Sequence, residues 1–474
     1  MISQYRHLIP SMVSQPTVIV GLGETGLSSA RYLMARGVET VVMDSRAHPP
    51  GLTALRVDLP TIRVYVGGFD EEILKSAKEI ILSPGVSLQE PAIKRVSELG
   101  VPIIGDIELF AREIHTSSVQ TPIIAITGSN GKSTVTTLVA EMARKNDLLV
   151  RAGGNLGPPA LALLGGNELT ELFVLELSSF QLETTSTLNP IVATVLNLSE
   201  DHMDRYVDMP SYAEAKSRIF AGDGAMVLNM DDPMVMAMVG SDWAKQADSR
   251  RIVGFTLNRP GADEFGVVDR EGGPWIAHGD NPLLPITALR LQGMHNVANA
   301  LAALALGTVA GLSLSAMRET LREFSGLSHR CQLVSDREDV RWFNDSKATN
   351  VGATVAAIRS LGHQGKMVLI AGGDGKGADF SPLKTAVQGE GPTKGAVRAI
   401  VLLGKDADRI AGVVQGIVPV VYASGMQDAV HQARNLARSG DSVLLSPACA
   451  SWDMYRDYQE RGQIFAAAVH AETL

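Results

Sequence analysis

The octapeptide TGSNGKST at positions 127–134 puts two glycines, a lysine and two hydroxyls into one turn. Those residue types suit a phosphate. Glycines let the backbone approach an anion, a lysine bridges its oxygens, and a serine or threonine hydroxyl reaches a Mg²⁺ ion bound to it. The usual nucleotide loop reads G-x-x-x-x-G-K-[ST], whereas only Ser129 and Asn130 separate Gly128 from Gly131 here. The apolar run PIIAIT precedes the motif and a helical pattern follows from Ser133, so the phosphate would meet the free N–H groups and positive end of a helix. That context favours phosphate binding over an ordinary glycine turn with a surface lysine. Gly128, Ser129, Asn130, Gly131, Lys132, Ser133 and Thr134 are the candidate contacts, with Ser133 or Thr134 supplying the hydroxyl to Mg²⁺.

Two further patterns carry chemistry. GLGETG at 21–26 follows the strand-like TVIV and fits G-x-G-x-x-G, while Asp44 and Arg46 end the next apolar run. A diphosphate or ribose-bearing ligand fits this turn, a nicotinamide dehydrogenase is one reading of it, and a purely structural tight turn is another. In ELFVLELSSFQLE, Glu176 stands at the carboxyl end of a short strand, where open α/β sheets place ligands. A metal-related carboxylate and a solvated strand-end glutamate both remain open there.

The elements that would position these groups recur along the chain. TVIVGLGETGLSSARYLMARG, the stretch around TGSNGKST, and KMVLIAGGDGKGADFSPLKTAV each read as an apolar strand, a glycine-rich turn and a helix. ETVVMD, EIILSPG, IVATVLN, AIVLLG and SVLLSP alternate with helical patterns, which predicts parallel sheets covered on both faces. The sequence therefore reads as α/β in three domains, over 1–117, 118–326 and 327–474. Linkers are expected at 112–122 (REIHTSSVQTP) and 323–330 (EFSGLSHR).

Composition sets the setting. With 45% hydrophobic and 20% charged residues, 474 residues suffice for several well-buried cores. Lys and Arg number 42 against 51 Asp and Glu, a net charge of −9 that argues against a general nucleic-acid surface and makes any basic cleft local. Cys331 and Cys449 alone cannot frame disulfides or a cysteine zinc site, and the opening MISQYRHLIPSMVSQPTVIV lacks a signal peptide's apolar core. A cytoplasmic protein is expected. NALAALALGTVAGLSL carries Asn, Thr, Gly and Ser and reads as a buried helix rather than a membrane span.

LNLSEDHMDRY, YAEAKSRIF, GGNLG, LELSSFQLE, GMHNVANALAAL, NDSKATN, GGDGKGADF and LSPACASWDMY, together with TGSNGKST, closely resemble the Mur ligases. The resemblance runs in order from Gly21 to about Tyr458. Within the family the motifs are most similar to members that add D-glutamate to UDP-N-acetylmuramoyl-L-alanine in peptidoglycan precursor synthesis. It implies a Rossmann-like N-terminal domain for the UDP moiety, a central P-loop-type ATPase domain and a Rossmann-like C-terminal domain for the amino acid. A monomer using ATP and two Mg²⁺ ions is implied as well.

Residue roles follow from the same resemblance. Thr25, Gly26, Asp44, Arg46, Ser83 and Gly85 would line the UDP substrate. Lys132, Asn155, His202 and Lys216 would be catalytic, with Ser133, Glu176, His202 and a carbamylated Lys216 serving the metals. Asn296 and Asn299, with His295 beside them, and Arg330 and Asp345 would complete the ATP site. Lys347, Thr349, Lys376, Ser451 and Tyr458 would hold D-glutamate. Two places depart from the family pattern: Cys331-Gln332 after His-Arg, and Tyr458 where phenylalanine is expected. Another amino-acid-adding Mur ligase or a folylpolyglutamate synthase would share the fold and loop, but no DNPR motif is present. A dehydrogenase or a nucleotide-binding regulatory module is the non-ligase alternative.

Overall fold

A computed structural model of the chain describes residues 15–472, apart from 166–168, 244, 246–249, 292, 363–364 and 390–393. The opening residues on which the signal-peptide reading partly rests, 1–14, lie outside it. The chain divides into two compact units. One comprises the chain to Thr121 with Ala152–Leu169 and Leu177–Asn189; the other comprises Pro122–Arg151, Thr170–Glu176 and Pro190 onward.

The first unit is built on five parallel strands, β1 (Thr17–Val20), β2 (Thr40–Asp44), β3 (Arg63–Val66), β4 (Glu79–Leu82) and β5 (Ile103–Ile104), in the order β3-β2-β1-β4-β5. Every residue of β1 and β2 is buried, as their nearly unbroken apolar character requires. The order reverses between β1 and β4, and an open sheet takes its ligand in the crevice that such a reversal leaves. Ser83 Oγ donates to the Gly21 carbonyl at 2.9 Å. A Cβ on Gly26 would stand 1.9 Å from that same oxygen, so only glycine lets helix Glu24–Ala35 start this close to the strand. Helix Asp106–Thr116 carries Glu108, whose carboxylate accepts from the N–H groups of Ser186 (2.8 Å) and Thr187 (3.0 Å) and from the Thr187 hydroxyl (2.9 Å). The linker expected at 112–122 thus begins inside a helix, which runs to Thr116.

The second unit holds two sheets. The nine-stranded one comprises β6 (Ile123–Thr127), β7 (Val150–Gly154), β8 (Leu172–Glu176), β9 (Val192–Val195), β10 (Ala225–Asn229), β11 (Ile252–Phe255), β12 (Phe265–Arg270), β13 (Gly273–His278) and β14 (Asn281–Pro285). Its order is β14-β13-β12-β11-β10-β9-β6-β8-β7. Strands β6 and β8 to β11 pair in parallel, but β12, β13 and β14 form an antiparallel meander at one edge. This antiparallel edge is an addition to the parallel sheets expected from the sequence. The signal was present: alternation in FGVVDR and GPWIAH around Gly272 and Gly273, both at positive φ, is a hairpin pattern. Helix Met294–Val309, the Ala/Leu run, is almost wholly buried from Asn296 to Gly307. No helix among the described residues is long and apolar enough to cross a membrane.

The other sheet comprises β15 (Gln332–Arg337), β16 (Val340–Asn344), β17 (Met367–Ala371), β18 (Val397–Leu402), β19 (Val420–Tyr422) and β20 (Ser442–Leu445), in the order β15-β16-β20-β17-β18-β19. Only β15 runs antiparallel. Successive side chains of a strand face opposite sides, so Trp342 joins one core, with Phe465, while Phe343 joins the other, with Ile358 and Phe380.

Burial alone would raise the Glu108 carboxyl, but its bonds from Ser186 and Thr187 and the charge of Arg112 outweigh it and hold the group below its usual range. A depressed carboxyl adds stability above its unfolded pKa and loses it as pH falls through the folded value. Glu108→Gln should therefore cost about 1–3 kcal/mol at pH 7 in urea unfolding. The gap to the parent should close on acidification below about pH 4; a pH-independent gap would refute the assignment.

Candidate active site

The phosphate loop follows from its glycines. Gly128 and Gly131 take φ of 148° and 84°, and the helix begins at Lys132. A Cβ on Gly131 would lie 2.3 Å from Asn299 Oδ1, so helix Met294–Val309 abuts the loop at this point. The two residues between the glycines are anchored sideways. Asn130 N–H donates to Asn197 Oδ1 (2.8 Å), Asn197 Nδ2 donates to the Asn130 carbonyl (3.0 Å), and Ser129 Oγ donates to the Ser199 carbonyl (3.0 Å). The segment after β9 thereby braces the shortened loop. Lys132 Nζ folds over its own turn onto the carbonyls of Gly128 (2.8 Å) and Ser129 (2.9 Å).

Beside the loop lies a cleft of about 300 Å³, lined by Asn130, Gly131 and Thr134, by His295, Asn296 and Asn299, and by Arg330, Asp345 and Lys347. Asn299 Nδ2 donates to Asn296 Oδ1 at 3.1 Å, which orients both amides. Burial and the Arg330 charge push His295 down to about 4, so its imidazole is neutral. Arg330 donates to Ser133 Oγ at 2.7 Å, linking the third sheet's entry segment to the phosphate loop. Burial pushes the Asp345 carboxyl up to about 7, although Ser446 Oγ (2.9 Å) and the Cys331 N–H (3.2 Å) donate to it.

Next to the loop the fold concentrates titratable groups. Lys216, on helix Met209–Ser217, is 1% exposed; its Nζ donates to the Gly128 carbonyl (3.0 Å) and Thr127 Oγ1 (3.3 Å) and stands 4.7 Å from the Tyr212 ring centre. Burial first, and then the charge of Lys132, hold its amine well below the usual lysine range, against Asp201 and Glu176. Glu176 ends β8 beside Ile126 of β6 and is 2% exposed. His202 adopts φ of 60° and is pushed down to about 4 by burial, with Lys376 and Lys132 adding and Asp201 opposing. Burial would raise Asp201, yet Lys376, His202 and Lys132 bring it to about 2.

Further candidate residues come from loops of the third sheet. Lys347 Nζ stands 3.9 Å from the Tyr458 ring centre, and Tyr458 makes a T-shaped pair with His329 at 6.2 Å between centroids. Tyrosine thus supplies the aromatic face expected of phenylalanine. Burial, Arg330 and Lys132 bring Lys347 down to about 8. Thr349 and Lys376 line a narrow space with His202. Arg461, 2% exposed, fastens two of these loops: it donates to Ser346 Oγ (3.0 Å), to the Ser346 carbonyl (2.7 Å) and to the Cys449 carbonyl (3.1 Å), beside Lys347 and the buried Ser451.

The first unit has its own cleft, of about 510 Å³, lined by Thr25, Asp44, Arg46, Ser83, Gly85 and Asn155. Gly26 packs against Gly21 instead of lining it. Asp44 spends its carboxylate on the Leu22 N–H (2.7 Å) and on Arg46, leaving the half-exposed Arg46 as the group that faces outward.

Sequence reading overlooked Asn197, Asp201, Asn350 and Arg461. The adjacency of Asp201 to His202 was a usable signal; the others act through contacts between distant segments.

Three family models match in succession: Mur ligase MurD-like, N-terminal domain, over residues 15–105; Mur ligase middle domain, over 126–307; and Mur ligase, glutamate ligase domain, over 329–449. The UDP-N-acetylmuramoylalanine--D-glutamate ligase of Nitrosococcus oceani is 52% identical over 457 residues, covering 96% of this chain and 97% of its own. Its namesake from Pseudomonas aeruginosa is 51% identical over 454 residues, covering 95% and 97%. Among solved structures, the UDP-N-acetylmuramate-alanine ligase of Thermotoga maritima superposes with a TM-score of 0.58 at 19% identity over 96% of this chain and 99% of its own. Folylpolyglutamate synthase of Mycobacterium tuberculosis complexed with ADP gives 0.57 at 17% over 77% and 94%. At such identities the two structures speak for the fold.

Lys132→Ala should weaken binding of a non-hydrolysable nucleoside triphosphate about 10- to 100-fold, the loss of one charge-assisted contact of about 1.5–3 kcal/mol. Titration calorimetry on the full chain reads this. Thermal stability should hold or rise, because a desolvated ammonium has been removed. Unaltered affinity would exclude the loop as the triphosphate site.

Proposed function

Because the chain belongs to the Mur ligase family, we propose that it joins D-glutamate to UDP-N-acetylmuramoyl-L-alanine with cleavage of ATP to ADP and phosphate. The observation that carries this reading is the gathering of cations around the glycine-rich loop: Lys132 rests on the loop carbonyls, Arg330 and Lys347 line the cleft beside it, and Lys376 pairs with Asp201. A carboxylate must approach a triphosphate in this reaction, and only fixed cations make the encounter of like charges feasible.

The alanyl carboxylate oxygen attacks the γ-phosphorus, the bond to the β-bridging oxygen breaks, and ADP leaves. The D-glutamate amine, having lost a proton, then attacks the acyl carbon and phosphate departs. Lys132 exchanges its loop carbonyls for phosphate oxygens. Arg330, now on Ser133, is placed to reach the transferred phosphoryl group and release that hydroxyl. Lys347, Thr349, Lys376, Ser451 and Tyr458 hold the amino acid, while the first unit's cleft takes the UDP moiety through Thr25, Arg46, Ser83 and Gly85. Asn155 orients the carboxylate to be activated.

The residues fit magnesium that arrives with substrate oxygens. Among the described residues no group of three or more His, Cys, Asp or Glu could hold a metal by itself. Ser133, Glu176, the neutral His202 and a carbamate on Lys216 would provide the protein's share. Mg²⁺ would neutralise phosphate and carboxylate charge. Burial shifts the Lys216 amine toward the neutral form, which is the form that takes up carbon dioxide, and carbamylation turns a cation that would repel a metal into a ligand. A cytoplasmic monomer in peptidoglycan precursor synthesis is the setting proposed.

Phosphate release should require UDP-N-acetylmuramoyl-L-alanine and D-glutamate together, and L-glutamate or L-lysine should not replace the latter. A phosphate-release assay over the amino acids decides this, and equal use of L-glutamate would reject the substrate assignment. Lys216→Ala should lose most activity, and acetate or formate should restore part of it. A fully active alanine variant, or the absence of a ¹³C carbamate resonance in bicarbonate-labelled enzyme, would show that Lys216 has another task.

A further inference from the structure

We propose that Asp201 is a positioning residue of the acceptor site: its carboxylate sets Lys376 in place for an incoming acidic side chain and ties that setting to the phosphate loop. The inference rests on the acceptor reading given above and deepens it.

Asp201 stands where three groups meet. Its Oδ1 accepts from Lys376 Nζ at 2.6 Å, its Oδ2 accepts from Asn350 Nδ2 at 3.2 Å, and His202 Nε2 lies 3.6 Å away. The ion pair is nearly enclosed, with 11% of the Lys376 side chain and 10% of the Asp201 side chain exposed. Asn350 in turn exchanges two hydrogen bonds with Asn130 of the phosphate loop, at 3.3 and 3.4 Å. It also caps helix Val351–Leu361 by accepting from Ala353 N–H at 2.9 Å. That helix start comes close: a Cβ on Gly352 would lie 2.6 Å from Ser199 Oγ. Asn130, Asn350, Asp201 and Lys376 therefore form one hydrogen-bonded chain from the triphosphate end to the acceptor end.

The backbone of Lys376 prepares the same arrangement. Its φ of 52° is a left-handed conformation that a residue with a side chain takes at a cost, and its N–H is fixed by Asp374 Oδ1 at 2.9 Å. Gly375, just before it, donates to Asp406 Oδ2 at 2.7 Å. The turn aims the lysine; Asp201 holds its far end. An ammonium has three donors and Asp201 takes one, so two remain for a substrate carboxylate. Without Asp201 the side chain regains its rotamer freedom, and each binding event must order it again.

A double-mutant cycle on the full-length chain tests this, using Asp201→Asn, Lys376→Ala and the pair. Asp201→Asn should raise the D-glutamate KM about tenfold or more while the ATP KM moves less than about threefold. The double variant should be no worse than Lys376→Ala alone, because both changes remove one device. Calorimetric binding of D-glutamate to enzyme carrying the UDP substrate and a non-hydrolysable ATP analogue gives the same cycle where turnover is too slow. Asp201→Glu, which keeps the charge, should recover part of the loss. Additive effects, a D-glutamate KM within about twofold of the parent, or an equal rise in the ATP KM would overturn the proposal. The parent enzyme reports on the substrate reading by itself: if it uses another acidic amino acid and not D-glutamate, only that reading fails, and the cycle is run with the amino acid it uses.

Discussion

The burial of several cations close together is the constraint on which this structure depends. Lys132, Lys216 and Lys347 all lie below the usual lysine range, each first through burial and then through another cation nearby. Asp201 and Glu176 oppose the shift in every case. The chain as a whole carries −9, so this surplus is local and held against electrostatic cost. Anionic ligands would relieve that cost, which is the physical basis of the function proposed.

Holding such a site requires atoms to be fixed without help from a ligand, and the protein does so with its own carbonyls and with strained backbone. Lys132 and Lys216 both rest on the Gly128 carbonyl. Arg461, a buried guanidinium, bonds to carbonyl and hydroxyl oxygens of two loops. His202, His329, Cys331 and Lys376 all adopt positive φ although none is glycine. Such conformations persist only where surrounding contacts enforce them, and these four flank the cleft. The departure at Cys331-Gln332 is absorbed locally, since Gln332 Oε1 accepts from the His329 N–H at 3.0 Å.

Legibility in the sequence tracked how local each signal is. The apolar runs TVIV, IIAIT, MVLIA and SVLL became central buried strands because a parallel strand covered by neighbours admits little else. TGSNGKST was legible as a strand-turn-helix junction because glycine torsions and a helix start are fixed by eight consecutive residues. The antiparallel edge β12–β14 went unread although its glycine turn was visible, since the alternating βα rhythm elsewhere dominated the expectation.

Single residues were singled out only by family resemblance. A lone Lys216 or Lys376 has no local pattern that distinguishes it from a solvated lysine. By itself the sequence determined the α/β class and the three strand, glycine-turn and helix units, because periodicity and glycine placement are short-range properties. Only the tertiary structure decided that Asn197 braces the shortened loop, that Asp201 pairs with Lys376 across 175 positions, and that Lys216 is buried beside Gly128. Burial and charge proximity arise from the packing of segments far apart in the chain, and they set which of many ordinary side chains become reactive.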